Sequence, residues 1–126
     1  MKCRVEKSEI AGEIECPPNK SYTHRAIFIA SLAIEKSIIK NVLRSEDTIA
    51  TIDACKNFGV QIDDIGNDVA VTSASELKIK NNTIDAANSG TTIRIAAAIA
   101  SLADDEITLT GDSSLKNDQC NHCLML

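Results

Sequence analysis

The stretch Pro17-Pro18-Asn19-Lys20-Ser21-Tyr22-Thr23-His24-Arg25-Ala26 decides how this chain is read. A proline pair holds the backbone extended and gives way to a short polar turn. Ala26, Ile27, Phe28, Ile29, Ala30, Leu32 and Ala33 follow, a run that is apolar on almost every side. The spacing predicts a helix from an N-cap at Ser21 to about Ile34, buried nearly all round. Lys20, Ser21 and Arg25 thus stand where a helix starts. Free backbone N–H groups favour negative charge there, and the two side chains add full positive charges. A mobile ammonium, a hydroxyl and a planar guanidinium fork suit a small carboxylate or phosphate. The competing reading is a capped helix with surface charges. His24 is expected as a surface or capping residue rather than an acid/base group.

Working outward, Met1 to Ile10 and Glu13 to Cys16 read as short strands around an Ala11-Gly12 turn. Ser37 to Val42 reads as a strand. Ser45 to Phe58 reads as an amphipathic helix with Ile49, Ile52, Ala54, Cys55 and Phe58 inward, ended by Gly59. Val60 to Ile65 and Val69 to Thr72 alternate around Gly66-Asn67-Asp68, a hairpin signal. Thr83 to Ala87 is a further strand. Asn88-Ser89-Gly90-Thr91-Thr92-Ile93-Arg94 then opens a second Ala/Ile helix, and Glu106 to Thr110 closes with a strand. The fold class is α/β.

The element order restarts, which indicates duplication. Ile29-Ala30-Ser31-Leu32-Ala33 recurs 70 residues on as Ile99-Ala100-Ser101-Leu102-Ala103, and Arg25 and Arg94 each open an apolar helix. Each repeat delivers a polar turn to a helix start. In the second, Gly90 lets a ligand approach the backbone, and Asn88, Thr91 and Thr92 offer side-chain hydrogen bonds. A plain turn and cap remains open for Asn88-Ser89-Gly90, and Arg94 fits a structural ion pair as well as a ligand contact.

Composition narrows the classes. With 126 residues, 44% hydrophobic, the chain suits one domain whose core is aliphatic, since it has two Phe, one Tyr and no Trp. A net charge of −5 argues against duplex DNA or anionic membrane as partner. The longest apolar stretch falls far below the roughly 18 residues of a membrane span. Met1 to Ile10 alternates charged and apolar residues, unlike a signal peptide. Five Cys without a regular framework fit a reducing compartment, so the expected location is cytoplasmic. The exposure of Cys3, Cys16 and Cys55 is open at this stage.

Pro18 to Ala26 resembles the first substrate-binding motif of the 3-phosphoshikimate 1-carboxyvinyltransferase (5-enolpyruvylshikimate-3-phosphate synthase) family. Asn88 to Arg94 resembles its second motif, and Leu109-Thr110-Gly111-Asp112 the strand that follows; the likeness spans Met1 to Asn117. Asn19 and Pro18 are mild departures, where that family commonly has Ser and Gly. The resemblance implies repeated βαβαββ units of the enolpyruvyl transferase fold: one complete unit, part of a second and an N-terminal strand pair. It implies that residues 1–16 pack with a distant C-terminal domain and that 17–117 form part of an N-terminal substrate-binding domain. It further implies that Lys20 is catalytic and contacts both substrates, that Ser21 and Arg25 bind shikimate 3-phosphate, and that Asn88, Gly90 and Thr91 border the phosphate of phosphoenolpyruvate. The implied activity is enolpyruvyl transfer with release of phosphate, on small anionic substrates, with no cofactor, metal, nucleic acid or membrane partner and a monomeric full-length protein.

The end of the chain departs from that pattern. Family members continue after Asn117 with Arg-Pro-Met, whereas this chain reads Asp118-Gln119-Cys120-Asn121-His122-Cys123-Leu124-Met125-Leu126. Cys120, His122 and Cys123 invite a metal reading, but a closed zinc site needs four ligands. Codons offer another account. The tail can be encoded as GAC CAA TGC AAC CAT TGC TTG ATG CTT; one base added in front of that choice of codons gives AGA CCA ATG CAA CCA TTG CTT GAT GCT, or Arg-Pro-Met-Gln-Pro-Leu-Leu-Asp-Ala. Residues 118–126 are therefore expected to be an out-of-frame tail. Three rival readings remain: a UDP-N-acetylglucosamine enolpyruvyl transferase relative, disfavoured by Ser21 where that family has Asn; an RNA 3′-terminal phosphate cyclase relative, disfavoured by the acidic balance; and a non-catalytic fragment or interaction module.

Overall fold

Asn19 starts the first helix. Its backbone is extended (φ −93°, ψ 129°) behind the proline pair, and its side chain accepts from the Tyr22 N–H at 3.0 Å. In this computed structural model, which describes residues 3–4, 6–7, 9, 11–73 and 76–117, helix α1 runs Lys20–Leu32. Ser21 lies inside the helix and does not cap it. Asn caps as well as Ser and stands two residues nearer the point where the prolines release the chain. The helix buries Thr23, His24, Ile27, Phe28, Ala30 and Ser31, while Ile29, Leu32 and, beyond its end, Ile34 are exposed. The expectation of all-round burial is overturned: only one face of α1 is covered by the described residues.

Strand β1 (Ser37–Ile39) follows and is shorter than Ser37 to Val42, because Asn41 turns to φ 50°, a conformation asparagine tolerates. Ser45 caps helix α2 (Glu46–Asn57) in a reciprocal box with Thr48, and Glu46 and Asp47 in the first turn and Lys56 in the last complement the helix dipole. Ile52, Ala54, Cys55 and Phe58 are buried as expected, but Ile49 is 47% exposed because Thr48 and Thr51 take the inner positions. Two bonds close the helix, Val60 N–H to Cys55 C=O at 3.2 Å and Gly59 N–H to Lys56 C=O at 3.1 Å. That pairing needs a left-handed residue between them, and Gly59 supplies it at φ +92°.

Strands β2 (Gln61–Ile65) and β3 (Asp68–Thr72) form the expected hairpin, with Ile65 opposite Asp68 and Gly66 at φ +62° as the first turn residue. β1 pairs antiparallel on the other side of β3, giving the order β1-β3-β2. Val69 and Val71 of the central strand enter the core, while Ala70 on the opposite face is buried between its cross-strand neighbours Ile38 and Asp63, which are themselves exposed. Strand β4 (Thr83–Asp85) stops short of Ala87, which sits at φ 50° and turns the chain toward helix α3 (Gly90–Ala100). Strand β5 (Thr108–Thr110) returns parallel to β4, with Ile84 beside Leu109, and a short helix α4 (Ser113–Asn117) follows.

The duplication is visible in three dimensions. α1 and α3 begin at Lys20 and Gly90, 70 residues apart, and both enter one apolar cluster containing Ile27, Phe28, Cys55, Val71, Ile84 and Ile99. The segment that this offset aligns with β4 is Glu13 to Cys16, yet it forms no strand. Its one large apolar residue, Ile14, is 87% exposed, with nothing in the described residues to pack on. The strand expected over Met1 to Ile10 falls partly outside the described residues; those described there lie in no strand. Cys3 and Cys16 are exposed, whereas Cys55 is buried, which pushes its thiol up to about 12.

A Cβ on Gly59 would come within 2.9 Å of the Lys78 carbonyl oxygen, besides requiring the left-handed backbone. Gly59→Ala should therefore lower unfolding free energy by roughly 1–3 kcal/mol in urea titration; an unchanged midpoint would show that the turn relaxes at no cost.

Candidate functional site

Lys20 and His24 stand one turn apart on α1, and Asp47 and Thr51 one turn apart on α2. The Lys20 ammonium pairs with the Asp47 carboxylate, and His24 Nδ1 lies 2.6 Å from Thr51 Oγ1. Each pair is separated by 27 residues. A step of one turn along α1 is thus matched by one turn in the same direction along α2, so the helices run parallel with their starts at one end.

α3 joins them through hydroxyls. Thr51 Oγ1 lies 2.7 Å from Thr92 Oγ1, and Thr92 Oγ1 donates to Ser89 Oγ at 2.7 Å. The same Thr92 hydroxyl comes within 3.5 Å of the Asp47 carbonyl oxygen, and Ser89 caps α3 by accepting from the Thr92 N–H at 3.2 Å. The first turns of three helices therefore meet, and their unpaired N–H groups add a positive field at one end of the molecule. Ser21, Arg25, Asn88 and Thr91 are exposed at these turns, Gly90 is half-buried, and the Lys20 side chain is 54% exposed against 14% for Asp47.

Two sequence expectations change here. His24 is not a surface residue: it is 1% exposed and belongs to the buried polar chain. Thr92 is fully buried, so its hydroxyl is spent on Thr51 and Ser89 and is not offered outward. Arg94 folds back on its own helix start, donating from Nη1 to the Gly90 carbonyl at 3.3 Å and occupying the space where a Cβ on Gly90 would stand. Asp47 is the residue that sequence reading missed. An acid in the first turn of a helix reads as dipole compensation, and nothing local ties it to a lysine 27 residues earlier. Ala87, a non-glycine residue held at φ 50°, adds backbone strain immediately before the Asn88 turn. A groove of about 750 Å³ lies at the far end of α2, lined by Asp53, Asn57, Gln61, Lys80 and Thr83, and includes none of the candidate residues. Among the described residues no cluster of three or more His, Cys, Asp or Glu could hold a metal ion, and Cys120, His122 and Cys123 lie outside them. No described helix is long and apolar enough to cross a membrane.

Two turns of this kind on a duplicated α/β frame match a known pattern. Residues 5–118 fit the family profile described as EPSP synthase (3-phosphoshikimate 1-carboxyvinyltransferase). The chain belongs to the EPSP synthase family. A 3-phosphoshikimate 1-carboxyvinyltransferase of Nitrosopumilus maritimus is 56% identical over 116 residues, covering 92% of this chain and 28% of the relative. That of Methanosarcina mazei is 49% identical over 117 residues, covering 92% and 27%. The solved EPSP synthase of Acinetobacter baumannii superposes with a TM-score of 0.78 at 28% identity, covering 85% of this chain and 25% of that one. The chain therefore spans just over a quarter of the length of these relatives and has the enolpyruvyl transferase fold.

In this EPSP synthase family member, burial holds the His24 imidazole below its ordinary value of 6.5, and the nearby Lys20 and Arg25 charges act in the same direction against the opposing pull of Asp47. Nε2 is buried with no hydrogen-bond partner among the described residues, so a second N–H would gain nothing. Because the folded ring resists the proton, the unfolded chain takes it up first as the pH falls. Stability is full above about 6.5 and declines below it, by no more than about 1.4 kcal/mol per pH unit for one proton. Asp112, held low by bonds from Ser114 and Leu115, acts only below 3.8. Urea unfolding at pH 7.5, 6.5 and 5.5 should show the decline, and His24→Asn should flatten it; an equal slope in both proteins would remove His24 as the cause.

Proposed function

We propose that residues 17–117 form one wall of the substrate cleft of an enzyme that transfers the enolpyruvyl group of phosphoenolpyruvate to the 5-hydroxyl of shikimate 3-phosphate. The observation that carries this reading is the junction of the Lys20 turn and the Gly90 turn through Asp47, Thr51 and Thr92. Both substrates are multiply anionic, so their approach needs cations and helix starts gathered at one place. Protonation of the methylene carbon and attack by the 5-hydroxyl, which gives up its proton, form the tetrahedral adduct. Loss of a proton from the new methyl group as the C–O bond to phosphate breaks restores the double bond, so an enol ether replaces the enol phosphate and phosphate leaves. In this role Lys20 contacts both substrates, Ser21 and Arg25 hold shikimate 3-phosphate, and Asn88, Gly90 and Thr91 border the phosphate of phosphoenolpyruvate. A Cβ at Gly90 would meet Arg94 Nη1 at 2.9 Å, so glycine there makes room for the Arg94 guanidinium.

The same reading assigns residues 1–16 to packing on a part of the family protein outside this chain, and residues 118–126 to an out-of-frame tail. It takes the full-length protein as a monomer of the cytoplasm, where the exposed Cys3 and Cys16 thiols stay reduced. Sequencing the gene across the Asn117 codon tests the tail: a continuation of the family sequence in another frame is expected, and its absence overturns that assignment.

Activity is testable in a chimera in which residues 1–117 replace the matching segment of the Nitrosopumilus maritimus relative. It should release phosphate from phosphoenolpyruvate only when shikimate 3-phosphate is present, while the 126-residue chain alone should release none. Lys20→Met should lower kcat/KM by roughly 10²–10³-fold, the scale for losing a preorganised charge donor. A chimera that turns over equally well with Met at that position would overturn the assignment of Lys20.

A further inference from the structure

We propose that His24 is a positioning residue: through Thr51 and Thr92 it holds the first turn of α3 in register with that of α1, so that the two anion-binding turns act as one site. The inference rests on the substrate assignment just given.

α1 and α2 are joined at this end by two rungs of different kinds. The outer rung, Lys20 with Asp47, is half-exposed and involves the ammonium that an anionic substrate would claim. An ammonium drawn toward an anion loosens that rung, and register then depends on the inner one. The inner rung, His24 with Thr51, is buried and out of reach of solute anions. It continues without a break to Thr92 and to Ser89, the cap of α3. With the proton on His24 Nδ1 and Thr51 donating to Thr92, which donates to Ser89, the three bonds share a direction and stiffen one another.

Packing alone does not account for a histidine here. Its Nε2 is buried without a partner among the described residues, a cost that a leucine of similar size would avoid. The imidazole directs its polar bond one way, to Thr51, and Thr51 is the residue that reaches α3.

Steady-state kinetics on the chimera, varying each substrate, separates positioning from simple stability. His24→Leu should raise KM for phosphoenolpyruvate about tenfold, the effect of one buried hydrogen bond, with KM for shikimate 3-phosphate and the urea midpoint changed little. His24→Asn, whose amide can still bond Thr51, should recover to within about threefold, and Thr92→Val should match His24→Leu. Unchanged KM in the leucine variant overturns the proposal. So does a parallel rise in both KM values with a lower urea midpoint, the mark of a merely structural residue. If the unsubstituted chimera releases no phosphate, the substrate assignment fails, and the relay is read in the 126-residue chain by amide hydrogen exchange. There His24→Leu should speed exchange of the amides at residues 92–93 about tenfold relative to the last turn of α3; equal rates overturn the relay by themselves.

Discussion

Parallel alignment of α1 and α2, fixed by two rungs with the same 27-residue separation, is the constraint on which the rest of this molecule depends. Two helices that start side by side place like ends of their dipoles together, which costs a few tenths to about 1 kcal/mol per terminus unless something negative is supplied. Glu46 and Asp47 supply part of it in the first turn of α2, while the first turns of α1 and α3 contain no acid. Lys20 and Arg25 move the balance back toward positive. A chain with net charge −5 thus carries a local site of opposite sign, built from backbone geometry as much as from side chains.

The hydrophobic core permits this arrangement. Ile27 and Phe28 of α1, Ile52 and Cys55 of α2 and Ile99 of α3 enter one cluster with Val69 and Val71 of β3 and Ile84 of β4. Because both repeats share that cluster, α3 cannot slide independently of α1 and α2 without uncovering apolar area, at about 25 cal/mol per Å². Coarse placement is therefore hydrophobic. Register is polar: apolar contacts tolerate small shifts along a helix, whereas bonds of 2.6–2.7 Å from His24 to Thr51 to Thr92 to Ser89 do not.

Much of the architecture was legible in local chemistry. Gly59, Gly66 and the Ser45 cap stand where turn and helix-end rules place them, and the 70-residue echo located α3 from α1. What escaped was tertiary. His24 reads as polar and therefore external until α2 is known to run parallel to α1 and to offer Thr51 at the matching height. Asp47 reads as a dipole partner until Lys20 is brought beside it. Glu13 to Cys16 has strand chemistry, but a strand exists by pairing, and the described residues supply no neighbour. The apolar outer face of α1 predicts burial from composition, yet composition does not say which residues do the covering.

The Lys20–Asp47 pair raises the question of whether an internal partner spoils the lysine for a ligand. Lys20 is more than half exposed, and ion pairs of that kind contribute between nothing and about 1 kcal/mol net, because water and salt screen them and two side chains must be held still. An anion at the same place meets the ammonium, the Arg25 guanidinium and the N–H groups of helix starts together, and charge-assisted bonds of that sort are worth roughly 1.5–3 kcal/mol each. Under the proposed substrate assignment, the ligand wins that competition. Asp47 then has a narrower effect: it keeps the ammonium at the helix start between ligands, at little cost when one arrives. The remaining carboxylate stays in the first turn of α2, whose N–H groups stabilise it as they would any anion.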